Sequence, residues 1–147
     1  MPRKEAKISG RPINRGNPAR IDICLFVYGT LRKDASHPLH RTLAREARYV
    51  ARPYFHGRLY DLGRYPGAVV SSNRTDRVYG EIYRLWQAAA VFKRLDRYEG
   101  ELFKRRRLLV SVSTGKKIVA WVYLYRGEVK ENGRIRSGDY LAFRRIR

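Results

Sequence analysis

The segment Ile21-Asp22-Ile23-Cys24-Leu25-Phe26-Val27-Tyr28 constrains the fold more than any other stretch of this chain. Ile21, Ile23, Leu25 and Val27 fall on one face of a strand by period-two alternation, and Cys24 and Phe26 fall on the other. Both faces are largely apolar, so the strand belongs in the interior of a sheet covered on both sides. Gly29 ends it, and Thr30-Leu31-Arg32 form a loop. A chain of 147 residues built around such a strand is one domain, large enough to bury a core without disulfides or metals.

The rest of the chain supplies what would cover that strand. Ser36 can cap a helix that has Pro38 in its first turn and Leu39, Leu43, Ala47 and Val50 near helical spacing. From Tyr54 the pattern turns to short strands: Tyr54 to Leu62, a turn at Tyr65-Pro66-Gly67, Ala68 to Ser71, then Arg77 to Trp86. Gln87 to Tyr98 reads as a second helix, with Ala88, Val91, Phe92 and Leu95 inward and Gly100 just beyond its C-terminal end. Leu108 to Ser113 and Ile118 to Tyr125 flank Thr114-Gly115-Lys116 as a hairpin. The C-terminal residues mix turns with edge segments ending in Tyr140 to Phe143. The fold class is α+β, with about six strands, two or more helices and no regular βαβ alternation. Residues 1–20, with prolines and glycines among charges, read as a flexible basic arm, and residues 21–147 as the single domain.

Charge is the loudest compositional feature: 33 Lys and Arg against 13 Asp and Glu, a formal net charge of +20. The excess is dispersed, with six basic residues against one acidic in 1–20 and seven against three in 126–147. Its densest run, Lys104-Arg105-Arg106-Arg107, sits on a predicted strand that sends neighbours to opposite faces. Such a surface gives weak, nonspecific attraction to polyanions. No apolar run approaches a membrane span, no secretory signal opens the chain, and Cys24 is its lone cysteine. These features point to a cytoplasmic protein without membrane contact. Nothing in the pattern specifies an oligomeric state.

Most catalytic chemistries lack their residues here. Cys24 lies mid-strand as a core residue, and no serine sits in a Gly-x-Ser-x-Gly turn. His37, His40 and His56 have no carboxylate-rich neighbourhood, so no metal site is expected. The glycine patterns that cradle nucleotide phosphates are missing, so no cofactor is expected. Two places remain. At Tyr28-Gly29-Thr30-Leu31 a buried strand breaks at a glycine, which frees backbone N–H groups to turn toward one point. At Leu95-Asp96-Arg97-Tyr98-Glu99-Gly100 a carboxylate stands at the C-terminal end of an apolar helix. The helix dipole there disfavours negative charge, so a partly buried Glu99 would hold its proton to higher pH and could shuttle it.

These fragments together resemble the gamma-glutamylcyclotransferase-like (AIG2-like) family, in its short bacterial and archaeal type. The resemblance runs in order through Val27-Tyr28-Gly29-Thr30-Leu31-Arg32, Tyr65-Pro66-Gly67-Ala68-Val69 and Val78-Tyr79-Gly80-Glu81-Ile82-Tyr83. It continues through Leu95 to Gly100, Ala120-Trp121-Val122-Tyr123-Leu124-Tyr125 and Ile135-Arg136-Ser137-Gly138-Asp139-Tyr140. It implies a small mixed β-barrel with helices packed beside it, and a pocket between the Tyr28–Leu31 loop and Glu99. It also implies a small gamma-glutamyl substrate whose own α-amine attacks its γ-carbonyl, releasing 5-oxoproline and an amine or amino acid. Glu99 matches the catalytic acid/base; Tyr28, Gly29, Thr30, Leu31, Pro66, Gly67 and Tyr125 match substrate-binding positions. Phe103 stands where relatives often carry a tyrosine, removing one polar contact.

The contrasting reading is a non-catalytic basic module of the same fold that engages nucleic acid or another polyanion. That reading requires an affinity that falls linearly with salt on a log–log scale; binding that is absent or insensitive to salt at physiological ionic strength removes it.

Overall fold

The computed structural model describes residues 23–29, 47–48, 52–85, 87–113 and 115–146. The basic arm, Thr30, Leu31, His37, His40, Trp86, Thr114 and the expected first helix, from Ser36 through Val50, lie outside them except for residues 47–48. The interior strand is there: β1, Cys24–Val27, is buried at every position. Leu25 and Val27 pack with Tyr83, Leu85, Phe92, Leu95 and Tyr123 on one side. Cys24 and Phe26 pack with Phe55, Leu59, Ala68, Val122, Ile135 and others on the opposite side. The sequence alternation therefore became two cores separated by one strand.

The other strands are β2 (Ala47–Arg48), β3 (Tyr54–Phe55), β4 (Gly57–Asp61), β5 (Pro66–Val70), β6 (Val78–Tyr79), β7 (Glu81–Arg84), β8 (Phe103–Ser113), β9 (Lys116–Tyr125) and β10 (Arg134–Ile135). They form a seven-stranded sheet in the order β2-β7-β1-β9-β8-β3-β6 and a three-stranded sheet β10-β4-β5. β1 runs antiparallel to β7 and parallel to β9, which makes the large sheet mixed. It curls into a half-barrel with helices beside it, meeting the α+β expectation. Helix α1 (Ala88–Glu99) buries Phe92 and Leu95 against β1, and helix α2 (Tyr140–Ile146) adds Tyr140 to the other core.

Several elements depart from the sequence reading, each for a local reason. The expected strand from Tyr54 to Leu62 divides at His56, with β3 in the large sheet and β4 in the small one. Gly57 permits the crossing, because a Cβ there would come within 2.6 Å of the Phe55 ring and the Val69 carbonyl. The expected strand from Arg77 to Trp86 likewise breaks at Gly80, whose N–H bonds the Pro53 carbonyl at 3.1 Å instead of a ladder partner. Tyr65-Pro66-Gly67 is not a turn. The turn comes two residues earlier, at Gly63 (φ +108°), whose N–H bonds Asp61 Oδ1, and Pro66 begins β5 at the edge of its sheet, where a missing N–H is tolerated. Ala47, expected in a helix, pairs with Tyr83 as part of β2. Tyr140 to Phe143 forms a helix rather than an edge strand. Asp139 caps it by accepting the N–H groups of Leu141 and Ala142 at 3.1 and 3.3 Å. The hairpin is present and longer than expected, with β8 starting at Phe103.

One charged residue holds the small sheet to its surroundings. Asp76 is buried and accepts from Arg58, Arg134 and Ser71, each at 2.7 Å, joining β4, β10 and the loop after β5. The hydrogen bond from Arg58, followed by that from Ser71, holds its carboxyl at about 2, well below the usual range. A depressed carboxyl stabilises the fold above its unfolded value and loses that contribution as pH falls toward the folded one. Asp76→Ala should therefore lower the thermal midpoint at neutral pH, with the gap from wild type closing toward pH 2. Equal midpoints at pH 7 would show that the cluster contributes nothing.

Candidate active site

The site forms where the C-terminal end of α1 meets the end of β1. Helix α1 has an apolar stripe that seats Phe92 and Leu95 in the core, and the chain leaves it through Gly100 at φ +74°. The stripe fixes the rotation of the helix, so that Glu99, its last residue, lines a cavity of about 160 Å³. Phe26, Val27, Tyr28 and Gly29 line the β1 side, and Tyr65 and Pro66 form the opposite wall. Tyr98, Phe103 and Tyr123 line it as well.

Close packing shapes the wall. A Cβ on Gly29 would stand 2.8 Å from Cγ of Pro66, so the end of β1 and the start of β5 approach as only a glycine allows. Tyr28 is buried, and its hydroxyl donates to the Tyr123 carbonyl at 2.7 Å and accepts the Ala68 N–H at 3.1 Å. Burial, together with the nearby Glu99 charge, keeps this phenol protonated far above its ordinary range.

Glu99 lies among these apolar and aromatic groups, and among the described residues none hydrogen-bonds or ion-pairs with its carboxylate. Burial raises its pKa to about 7. The sequence reading expected a raised value from the helix dipole acting on a partly buried carboxyl; desolvation by burial is the cause seen here. Asp96, one turn earlier on the same helix, has the opposite environment. Its partial burial favours the neutral acid, but hydrogen bonds from Arg105 and Tyr123 outweigh it and hold the carboxyl below its ordinary value. Arg105 reaches it through Nε at 3.1 Å and a terminal nitrogen at 3.0 Å.

The structure brings Tyr28, Gly29, Pro66 and Glu99 together as expected. Gly67 and Tyr125 stand outside the cavity lining: a Cβ on Gly67 would lie 2.9 Å from that of Tyr125, so the pair packs behind the wall. Tyr125 also meets the ring of Phe103 at 5.5 Å. Thr30 and Leu31 lie outside the described residues. The sequence reading missed Tyr65, Tyr98 and Tyr123 as lining residues. Tyr123 shares its strand face with Tyr125, and only the pairing of β9 with β8 and the seat of α1 decide which of the two meets the cavity. Among the described residues no group of three or more His, Cys, Asp or Glu could hold a metal ion. No helix among them is long and apolar enough to cross a membrane.

Comparison with known proteins agrees with this geometry. Residues 25–142 match the family model "Gamma-glutamyl cyclotransferase, AIG2-like". The gamma-glutamylcyclotransferase family protein YtfP of Escherichia coli K12 is 32% identical over 117 residues, spanning 80% of this chain and 95% of that protein. The crystal structure of YkqA from Bacillus subtilis superposes with a TM-score of 0.67 at 25% identity. That match covers 86% of this chain but only 42% of YkqA, which is more than twice as long as the shared part. An AIG2-like protein from Mus musculus has the same fold, with a TM-score of 0.62 at 20% identity over 82% of this chain and 89% of its own. The chain belongs to the gamma-glutamyl cyclotransferase, AIG2-like family.

The environment of Glu99 predicts a stability signature. A carboxyl raised from 4.5 to about 7 costs nothing while protonated; its penalty grows between those pH values and is constant above them. That penalty is at most about 3 kcal/mol. Glu99→Gln should melt above wild type at pH 8 and alike at pH 4, and a variant that melts lower at pH 8 would refute the buried, unpaired carboxylate.

Proposed function

We propose that this chain is a cofactor-free gamma-glutamyl cyclotransferase. The observation that carries the reading is Glu99, a carboxylate poised to titrate near neutrality in an aromatic cavity at the glycine-ended strand. A gamma-glutamyl compound brings its own nucleophile, so the protein needs neither a serine nor a cysteine. The glutamyl headgroup binds along the backbone at Gly29, and Pro66 limits the room behind it. Glu99 takes a proton from the α-ammonium, and the freed amine attacks the γ-carbonyl to form a five-membered ring. As the C–N bond to the leaving group breaks, Glu99 returns the proton to the departing nitrogen. The products are 5-oxoproline and an amine or amino acid.

The attack is intramolecular, so bending the glutamyl chain supplies much of the rate by proximity. A base with a pKa near the working pH is suited to both halves of the proton transfer. In a chain with 31% charged residues, Glu99 is the one charged side chain among the described lining residues, and that apolar setting keeps its proton affinity high.

The test is 5-oxoproline release from a panel of gamma-glutamyl amino acids, gamma-glutamyl-ε-lysine, gamma-glutamyl alkylamines and glutathione. Wild type should release it from at least one, and Glu99→Gln should lose about 10²–10⁴-fold while keeping its fold. Because Glu99 must be ionised to take the proton, kcat/KM should fall about tenfold per pH unit below about 7. Full activity in Glu99→Gln, or silence across the panel, would overturn the assignment.

A further inference from the structure

The inner wall of the cavity has a polarity that hydrogen-bond arithmetic fixes. A phenol has one hydrogen to give. The hydrogen of Tyr123 goes to Asp96, in a short contact between the two side chains. Asp96 is held ionised by the two-pronged contact with Arg105, and an ionised carboxylate can only accept. Arg105 has little freedom to release it, since its guanidinium lies 4.0 Å over the Phe92 ring and 4.8 Å over that of Trp121. The Tyr123 oxygen can therefore offer the cavity only lone pairs. Tyr28 has likewise spent its hydrogen on the Tyr123 carbonyl. With the Glu99 carboxylate, the buried part of the lining presents side-chain acceptors and, among the described residues, no side-chain donor.

Such a wall suits a ligand group that only donates, and a primary ammonium, with three N–H bonds, is that group. Resting on the cyclotransferase reading, we propose that the Tyr123 hydroxyl oxygen accepts a hydrogen bond from the substrate α-ammonium, with Asp96 and Arg105 as positioning residues that fix the hydroxyl's direction. Glu99 takes one proton while Tyr123 holds another N–H, so the amine is already oriented when it becomes a nucleophile. The arrangement makes a free α-amine a binding requirement as well as a chemical one.

The probes are gamma-glutamyl-n-butylamide and its des-amino counterpart, glutaric acid mono-n-butylamide. Their dissociation constants are measured by calorimetry on the full chain carrying Glu99→Gln, which prevents turnover. The amino compound should bind more tightly. Adding Tyr123→Phe should shrink that preference by about tenfold or more, the usual effect of a hydrogen bond to a charged group, and leave the des-amino compound unchanged. Asp96→Ala, which frees the hydroxyl to turn its hydrogen inward, should shrink it too. Near-UV circular dichroism checks folding, and Tyr123→Phe keeps the packed ring if Asp96→Ala does not fold. An unchanged preference in Tyr123→Phe, equal binding of the two compounds in the parent, or no binding of either overturns the proposal. Wild type that releases no 5-oxoproline while the Tyr123-dependent preference survives would remove the ring-closing reaction and leave the ammonium site standing.

Discussion

A single phenol, that of Tyr28, ties the two sheets together at the place where the cavity opens. It donates to a carbonyl of β9 in the large sheet and accepts an N–H of β5 in the small one, both from within the core. A buried hydroxyl satisfied on both sides is far more stable than one left unpaired, so these contacts fix the spacing between β1, β9 and β5. Gly29 then has to pass Pro66 at a distance that leaves no room for a side chain. The cavity is what remains between two sheets held at that separation and a helix laid across one end.

The helix contributes two carboxylates one turn apart, and their surroundings set them to different tasks. Asp96 faces Arg105 and Tyr123 and stays ionised; Glu99 faces rings and has no charge partner among the described residues. This is a familiar physical route to a working acid/base: two like groups whose environments drive their proton affinities apart. Separation of the pair depends on the hairpin, because Arg105 and Tyr123 lie opposite each other on β8 and β9. The strand pair thus gives one carboxylate an ion-pair partner and leaves the other to the cavity. The basic character of the chain has a similar local use, since Arg105 and the Arg58–Asp76–Arg134 cluster place cations where a carboxylate is kept charged.

Much of this was legible in the residues. The alternation around Leu25 and Phe26, the apolar stripe of α1 with its terminal glycine, and the hairpin at Gly115 are local patterns with local causes, and each formed. The readings that failed concern places where the chain changes its strand partners, the turn that falls at Gly63 instead of Tyr65-Pro66-Gly67, Ala47 in a strand instead of a helix, and a C-terminal helix whose cap the sequence did not reveal. Gly57 and Gly80 look like ordinary strand residues until a neighbouring ring or carbonyl occupies the space of the missing Cβ. Asp139 looks like a turn residue until its carboxylate accepts the N–H groups of Leu141 and Ala142.

By itself the sequence determined the interior strand, the two-sided core and the candidacy of Glu99 at a helix end, because periodicity and capping depend on neighbours along the chain. Only the tertiary structure decided that desolvation, not the dipole, is what raises the proton affinity of Glu99. It also decided that Tyr123 rather than Tyr125 lines the cavity, and that Gly67 packs behind the wall. Burial, ring contacts and the direction of a hydroxyl arise between residues distant in sequence, and they are set by how strands pair, not by which residues the strands contain.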